Sequence, residues 1–240
     1  MIFTKQLAYD VRGILTDWML YFALIMSIIP AFGILYSIVN LKGPFDTIQV
    51  TYFYTSFGAV LSIIVTIRPF VKDLQNNTIV LFMNRLGNRY KYYTSKLVAS
   101  VVVGLIFGLV GMAVLSFASY YADLNIPTEL YYQMVIHYML FTLFYGSLFL
   151  TLSTFIKSPI GLIVTALLSI LLLPSLLQVP LYIDGTPEFI LTFVTDYLPL
   201  NFAPDVLGSH NFITAHYVSF IVFTVVFAGI GYFKIGRTDY

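Results

Sequence analysis

Apolar residues in this chain fall in long unbroken runs. Six stretches, near Trp18–Val39, Ile48–Ile67, Leu97–Tyr120, Tyr131–Ile156, Ile160–Leu181 and Ala215–Phe233, have no Asp, Glu, Lys or Arg in their interiors. The hydrocarbon core of a bilayer is about 30 Å thick and a helix rises 1.5 Å per residue, so about 20 apolar residues make one crossing. Barrel strands would alternate between apolar and polar positions, whereas continuous runs call for helices. The pattern predicts an all-α membrane protein with six transmembrane helices.

The segments between the runs carry their own patterns. At the N-terminus Phe3, Leu7, Val11, Ile14 and Trp18 recur at helical spacing, with Lys5, Asp10, Arg12 and Asp17 off the stripe. This predicts an amphipathic interfacial helix over residues 1–17, ahead of a transmembrane domain over 18–240. A plain extension of the first helix is the alternative. Arg68-Pro69 is expected to end the second span, because proline disfavours helix in the residue before it. Residues 68–96 then form the one sizeable loop on that side. There Lys72, Asp73, Arg85, Arg89, Lys91 and Lys96 interleave with Val71, Leu74 and the run Ile79–Met83. Such a mixture suits a short amphipathic helix pressed on a partner or on lipid headgroups. Residues 182–214 are broken by Pro187, Pro199, Pro204 and Gly208 yet remain apolar. They are expected to form a re-entrant or interfacial helical pair.

Composition agrees with this class. Of 240 residues, 59% are hydrophobic and 10% charged, against roughly 25% charged in a soluble domain. The absence of cysteine excludes a disulfide scaffold, thiolate metal sites and thiol catalysis. Asp10 and Asp17 interrupt the N-terminal stretch, so no cleavable signal peptide is expected there. Net charge is +1 and points to no nucleic acid. Placement is more informative than the sum. With the N-terminus inside, eleven of the twelve Lys and Arg fall on the cytoplasmic side and only Lys42 falls opposite. By the positive-inside bias both termini are cytoplasmic, in a multi-pass protein of the cell membrane.

Little in the sequence suggests catalysis. No run matches G-x-x-x-x-G-K-[ST], so ATP phosphates would not be cradled by that route, and no H-E-x-x-H pattern exists. His137, alone in the fourth run, reads as an interhelical hydrogen bonder. The runs hold no internal carboxylate or cation for an ion-coupled cycle. No catalytic, cofactor or metal site is therefore expected in this chain. Ser100, Gly104 and Gly108 form a small-residue stripe in the third run, suited to close helix packing within the chain or to a dimer seam. Thr51, Thr55, Ser62 and Thr66 put hydroxyls on the second run. They either line a translocation path or bond back to their own helix carbonyls.

The layout resembles the membrane-spanning subunit of an ABC exporter of the ABC-2 type. That family has an interfacial helix, six spans, a coupling loop between the second and third, and short outer helices before the sixth. The segment VKDLQNNTIVLFMNRLGNRYKYYTSK, residues 71–96, resembles its loop signature at Asp73, Thr78, Arg89 and Lys96. It departs where Asn77 and Ser95 replace glycines and Asn88 replaces a serine. A narrower likeness is to the permeases of the staphylococcal exporters of phenol-soluble modulins, which are amphipathic helical toxins. The resemblance implies ATP and Mg on separate nucleotide-binding subunits and a second membrane subunit, identical or homologous. It also implies an amphipathic peptide cargo, and coupling contacts through Asp73, Thr78, Arg85, Arg89, Lys91 and Tyr93. The rival readings are a membrane adaptor or immunity protein that transports nothing, and an exporter of bacteriocins or drugs.

Overall fold

The computed structural model describes residues 2–45, 47–76, 86–122, 126–183, 185–207 and 212–237. All regular structure among them is helical. Helix α1 spans Ile2–Leu15, α2 Trp18–Leu41, α3 Thr47–Gln75, α4 Leu86–Ala122 and α5 Thr128–Leu152. Then come α6 over Pro159–Leu171, α7 over Leu173–Leu177, a 3₁₀ turn at Val179–Tyr182 and α8 over Glu188–Thr192. A π turn at Phe193–Tyr197, α9 over Pro199–Val206 and α10 over Thr214–Arg237 complete the order. Five of these helices, α2, α3, α4, α5 and α10, are long and apolar enough to cross a membrane.

Each long helix overlaps one of the predicted runs, but three boundaries differ. Helix α3 does not stop at Arg68-Pro69. It continues through Pro69 to Gln75. Proline removes one intrahelical hydrogen bond, and here burial of Phe70 and Val71 beyond it holds the helix together. Helix α4 begins at Leu86, well before Leu97. The expected loop over 68–96 is thus helical at both ends, and only residues 77–85 within it lie outside the described residues. The fifth apolar run, Ile160–Leu181, is not one helix. It breaks at Leu172 and again at Gln178, each just before or beside a helix-starting Pro174 or Pro180. The 13 residues of α6 reach roughly 20 Å, short of the hydrocarbon thickness.

Packing centres on α5, the most enclosed of the long helices, with α2 and α10 the least. Its broadest interface is with α4, and it also meets α10 and α3. The α4–α5 contact uses the predicted small-residue stripe, inside the chain. A Cβ on Gly104 would sit 2.5 Å from the Tyr138 carbonyl oxygen and 2.7 Å from Met139 Cα, and one on Gly108 would lie 2.6 Å from Val135 Cα. From α5, Gly146 answers Ser100, whose Oγ would be 2.6 Å from a Cβ there. Lipid tails are as apolar as leucine, so helices in a bilayer associate chiefly by such close packing and by polar contacts.

Beyond the long helices, α9 buries Pro199, Asn201, Phe202 and Ala203, and it packs on α7, α10, α3 and α6. Asn201 Nδ2 donates to the Val194 carbonyl at 3.0 Å, joining α9 to the preceding π turn. The segment expected to be re-entrant is therefore a chain of short helices, with α9 seated against the bundle.

Alanine at Gly104 meets backbone atoms of α5 that cannot rotate away. Gly104→Ala should cost about 1–3 kcal/mol through overpacking, read as a lower melting temperature of the detergent-purified protein. Gly33→Ala, where a Cβ meets nothing within 4 Å, should melt at or above the wild-type temperature.

Candidate functional site

The end of the bundle that carries α1 holds a cluster of buried charges. Helix α1 runs into α2 through a corner at Thr16-Asp17, and Asp17 caps α2 by accepting the Met19 N–H at 3.1 Å. The side of α1 turned into the bundle carries Gln6, Asp10 and Ile14, spaced four apart. This corrects the stripe reading of the sequence. Asp10 faces inward, at 4% exposure, while Phe3, Leu7 and Val11 are half-buried and Trp18 is 65% exposed.

Asp10 is buried because its partner is. Lys96 of α4, at 2% exposure, places Nζ 2.8 Å from Asp10 Oδ1 and 2.6 Å from Asp73 Oδ2 of α3. Each carboxylate takes a further hydrogen bond, Asp10 from Ser95 Oγ at 2.5 Å and Asp73 from the Tyr92 hydroxyl at 2.8 Å. Desolvating these charges is costly, and such hydrogen bonds are what make a buried ion pair tolerable. Beside them, Asp17 receives Arg68 Nε and Lys72 Nζ of α3, both at 2.5 Å. Burial alone would raise the Asp17 carboxyl. Hydrogen bonds from Lys72, Arg68 and the Met19 N–H, with the Arg68 charge, outweigh it and hold the group down at about 2.

The first turns of α4 fasten it to four neighbours, α1, α3, α5 and α10, in a helical rotation. Arg89 Nη1 donates to the carbonyls of Ile235 and Gly236 at 3.2 and 3.4 Å, where the C-terminal end of α10 leaves acceptors free. Tyr92 and Lys96 turn to α3 and α1. Tyr93, fully buried, bonds the Thr151 hydroxyl at 3.0 Å, and Thr151 donates to the Phe227 carbonyl at 2.7 Å. Thr94 bonds the Tyr232 hydroxyl. Lys91 is exposed.

No protein-family model matches this chain, and no curated protein matches it.

The expected coupling residues divide accordingly. Asp73 and Tyr93 are interior, Arg89 is half-buried against α10, and Lys91 alone among the described ones faces outward. Thr78 and Arg85 lie outside the described residues. Asp73 and Tyr93 point inward because their partners, Lys96 and Thr151, are themselves buried. The α3 hydroxyls do not form an open wall. Thr51, Thr55, Ser62 and Thr66 are buried, and Thr55, Ser62 and Thr66 donate to the carbonyls of Thr51, Ala59 and Ser62. His137 of α5 bonds the Tyr217 hydroxyl of α10 at 2.7 Å and stacks on Phe212. Sequence reasoning missed Asp10 and Asp17 as partners. The available signal was their odd presence in a largely apolar segment, with unpaired basic residues elsewhere.

Removing the shared cation should be severe. Lys96→Met leaves two buried carboxylates facing each other and should cost about 3–5 kcal/mol, seen as loss of monodisperse protein in detergent. Adding Asp10→Asn and Asp73→Asn should restore much of the loss. No recovery would mean that packing, not charge, is at fault. The Asp17 tie has a defined pH window. Its carboxyl is depressed from 3.8 to about 2, so its stabilisation is complete above the unfolded value and fades as pH falls towards the folded one. The melting-temperature gap between wild type and Asp17→Asn should be constant at neutral pH and close between those two values.

Proposed function

We propose that this chain is the membrane-spanning subunit of an ATP-driven exporter of the ABC-2 type, energised by a separate nucleotide-binding subunit. The observation that carries the reading is the extension of α3 to Gln75 and of α4 back to Leu86, on either side of residues 77–85. At 37 residues, α4 is roughly 55 Å long, well over the hydrocarbon thickness. Both helices extend past a crossing on the side rich in Lys and Arg, which the positive-inside bias makes cytoplasmic. The described part of that extension is pinned by Asp73, Lys96 and Arg89. A partner that engages residues 77–85 together with exposed Lys91 would move stiff helices, not a slack loop.

In this reading both termini are cytoplasmic, and the broken run from α6 through α7 to the 3₁₀ turn completes a sixth crossing in three pieces. The α3 hydroxyls are all buried, and those of Thr55, Ser62 and Thr66 are taken up by their own helix, which supports a cargo route between this chain and a second membrane subunit. Its apolar, charge-poor walls suit an amphipathic peptide of the phenol-soluble modulin kind, whose apolar face needs no buried counter-ion.

The test is co-purification followed by turnover. A tagged chain should recover an ATPase subunit from its native membrane, and Lys91→Glu should lower cargo-stimulated ATPase about tenfold, a loss of ~1.4 kcal/mol of coupling, without changing the melting temperature. Recovery of no nucleotide-binding partner would favour the adaptor reading.

A further inference from the structure

The six charges of the cluster line one cavity of about 140 Å³, bounded by α1, α2, α3 and the start of α4. They are unevenly placed within it. Asp10, Asp73 and Lys96 form its buried floor, at 4%, 9% and 2% exposure, and their formal charges sum to one negative. Arg68 and Lys72 form the mouth, with side chains 32% and 47% exposed, and Asp17, its side chain 7% exposed, lies just beneath them and pairs with both. The charges of these three sum to one positive. The cavity is neutral as a whole but polarised, negative inside and positive outside.

A ligand complementary to that field is a zwitterion that enters cation first and leaves its anion at the rim. An ammonium donates to carboxylates, and Arg and Lys are the ordinary partners of phosphate. Two observations place the mouth at membrane-headgroup depth. Trp18 and Tyr21, at 65% and 55% exposure, flank the Asp17 corner, and exposed Trp and Tyr mark the interface between lipid and water. The apolar run of α2 begins at the same corner with Trp18, and that of α3 ends beside it at Arg68, which pairs with Asp17. A phospholipid with a terminal amine presents its groups in the matching order, with the amine outermost, the phosphate next and the acyl chains last.

We propose that this cavity binds the headgroup of an amine-bearing phospholipid, the ammonium against Asp10 and Asp73 and the phosphate between Arg68 and Lys72. The site requires only that the chain lie in a membrane, and it stands whether or not the chain is a transporter. Occupancy would add a lipid strut between α1 and α3.

Gly13 offers a test that leaves all six charges in place. It lines the cavity, and a Cβ there meets nothing within 4 Å, so Gly13→Leu has room at its Cβ, adds bulk beside the charges and should favour the helix. The purified full chain in detergent is titrated with dioleoylphosphatidylethanolamine or dioleoylphosphatidylglycerol and followed by thermal shift and native mass spectrometry. The amine lipid should bind at least about tenfold more tightly than the glycerol lipid. Gly13→Leu should erase that preference while melting, without lipid, close to wild type, and Lys72→Ala, which removes a phosphate contact common to both lipids, should weaken the binding of both. Equal binding of the two lipids, or a preference that survives Gly13→Leu, would overturn the proposal. Free O-phosphoethanolamine separates the sources. Displacement of bound lipid at millimolar concentration supports headgroup recognition, whereas stabilisation equal to the lipid's at the lipid's own concentration would make a soluble zwitterion the occupant and overturn the lipid assignment.

Discussion

A single ammonium, Lys96 Nζ, lies between the carboxylates of Asp10 and Asp73, and the arrangement of three helices depends on it. In a bilayer the hydrophobic effect supplies little preference for one helix pairing over another. A buried charge supplies a strong one, because every alternative that separates it from its partners strands it without solvation. Lys96 can be buried only where α1 and α3 both bring a carboxylate, so α4 sets the position of both. Asp17 then secures the corner between α1 and α2 through Arg68 and Lys72. As a result α1 is joined to the bundle along one side, with Phe3, Leu7 and Val11 left half-buried beside that side.

Steric fit continues what charge begins. Past Lys96 the contact between α4 and α5 passes through Ser100, Gly104 and Gly108, where a larger side chain would meet backbone of the opposing helix. At the α4–α10 contact a Cβ on Gly231 would run into the ring of Tyr93, the same tyrosine that bonds Thr151. The polar contacts at the charged end and the small residues deeper in the helix thus constrain one register of α4 twice. A slip of one residue would turn Lys96 off Asp10 and would also put a branched side chain, Val103 or Phe107, where Gly104 and Gly108 now meet α5.

The five long helices were legible in the sequence because membrane solvation leaves an uncharged run of that length few options. What the runs did not reveal were events decided by tertiary partners. Arg68-Pro69 reads as a stop on local grounds, yet the helix persists because Phe70 and Val71 are buried past it. Residues 86–96 read as loop because Arg89, Lys91 and Lys96 lower the local hydropathy. Their helix is stabilised by partners far away in the chain, Asp10 for Lys96 and the α10 carbonyls for Arg89. Asp10 was placed off the buried stripe for the converse reason: apolar periodicity cannot show a carboxylate whose counter-ion lies 86 residues on. In the fifth run hydropathy masked two helix-breaking prolines. The small-residue stripe was legible as a close contact, but its partner, α5, was not.

These fastenings also bear on how such a chain could move. The start of α4 is bonded to α1 and α3 through Lys96 and Tyr92, to α5 and α10 through Tyr93, and to α10 again through Arg89. A force entering near residues 77–85 would therefore reach four other helices within the first three turns of α4. Bending α3 against α4 there would separate a buried ion pair, whereas tilting the bundle as one body breaks none of these contacts. Among the described residues α2 and α6 to α9 have no such ties to α4; α2 is held at the Asp17 corner instead, and α6 to α9 include the run cut by Pro174 and Pro180. If the chain works as half of an exporter, its working motion is a tilt of the fastened helices against a second subunit, with α6 to α9 taking up the internal adjustment.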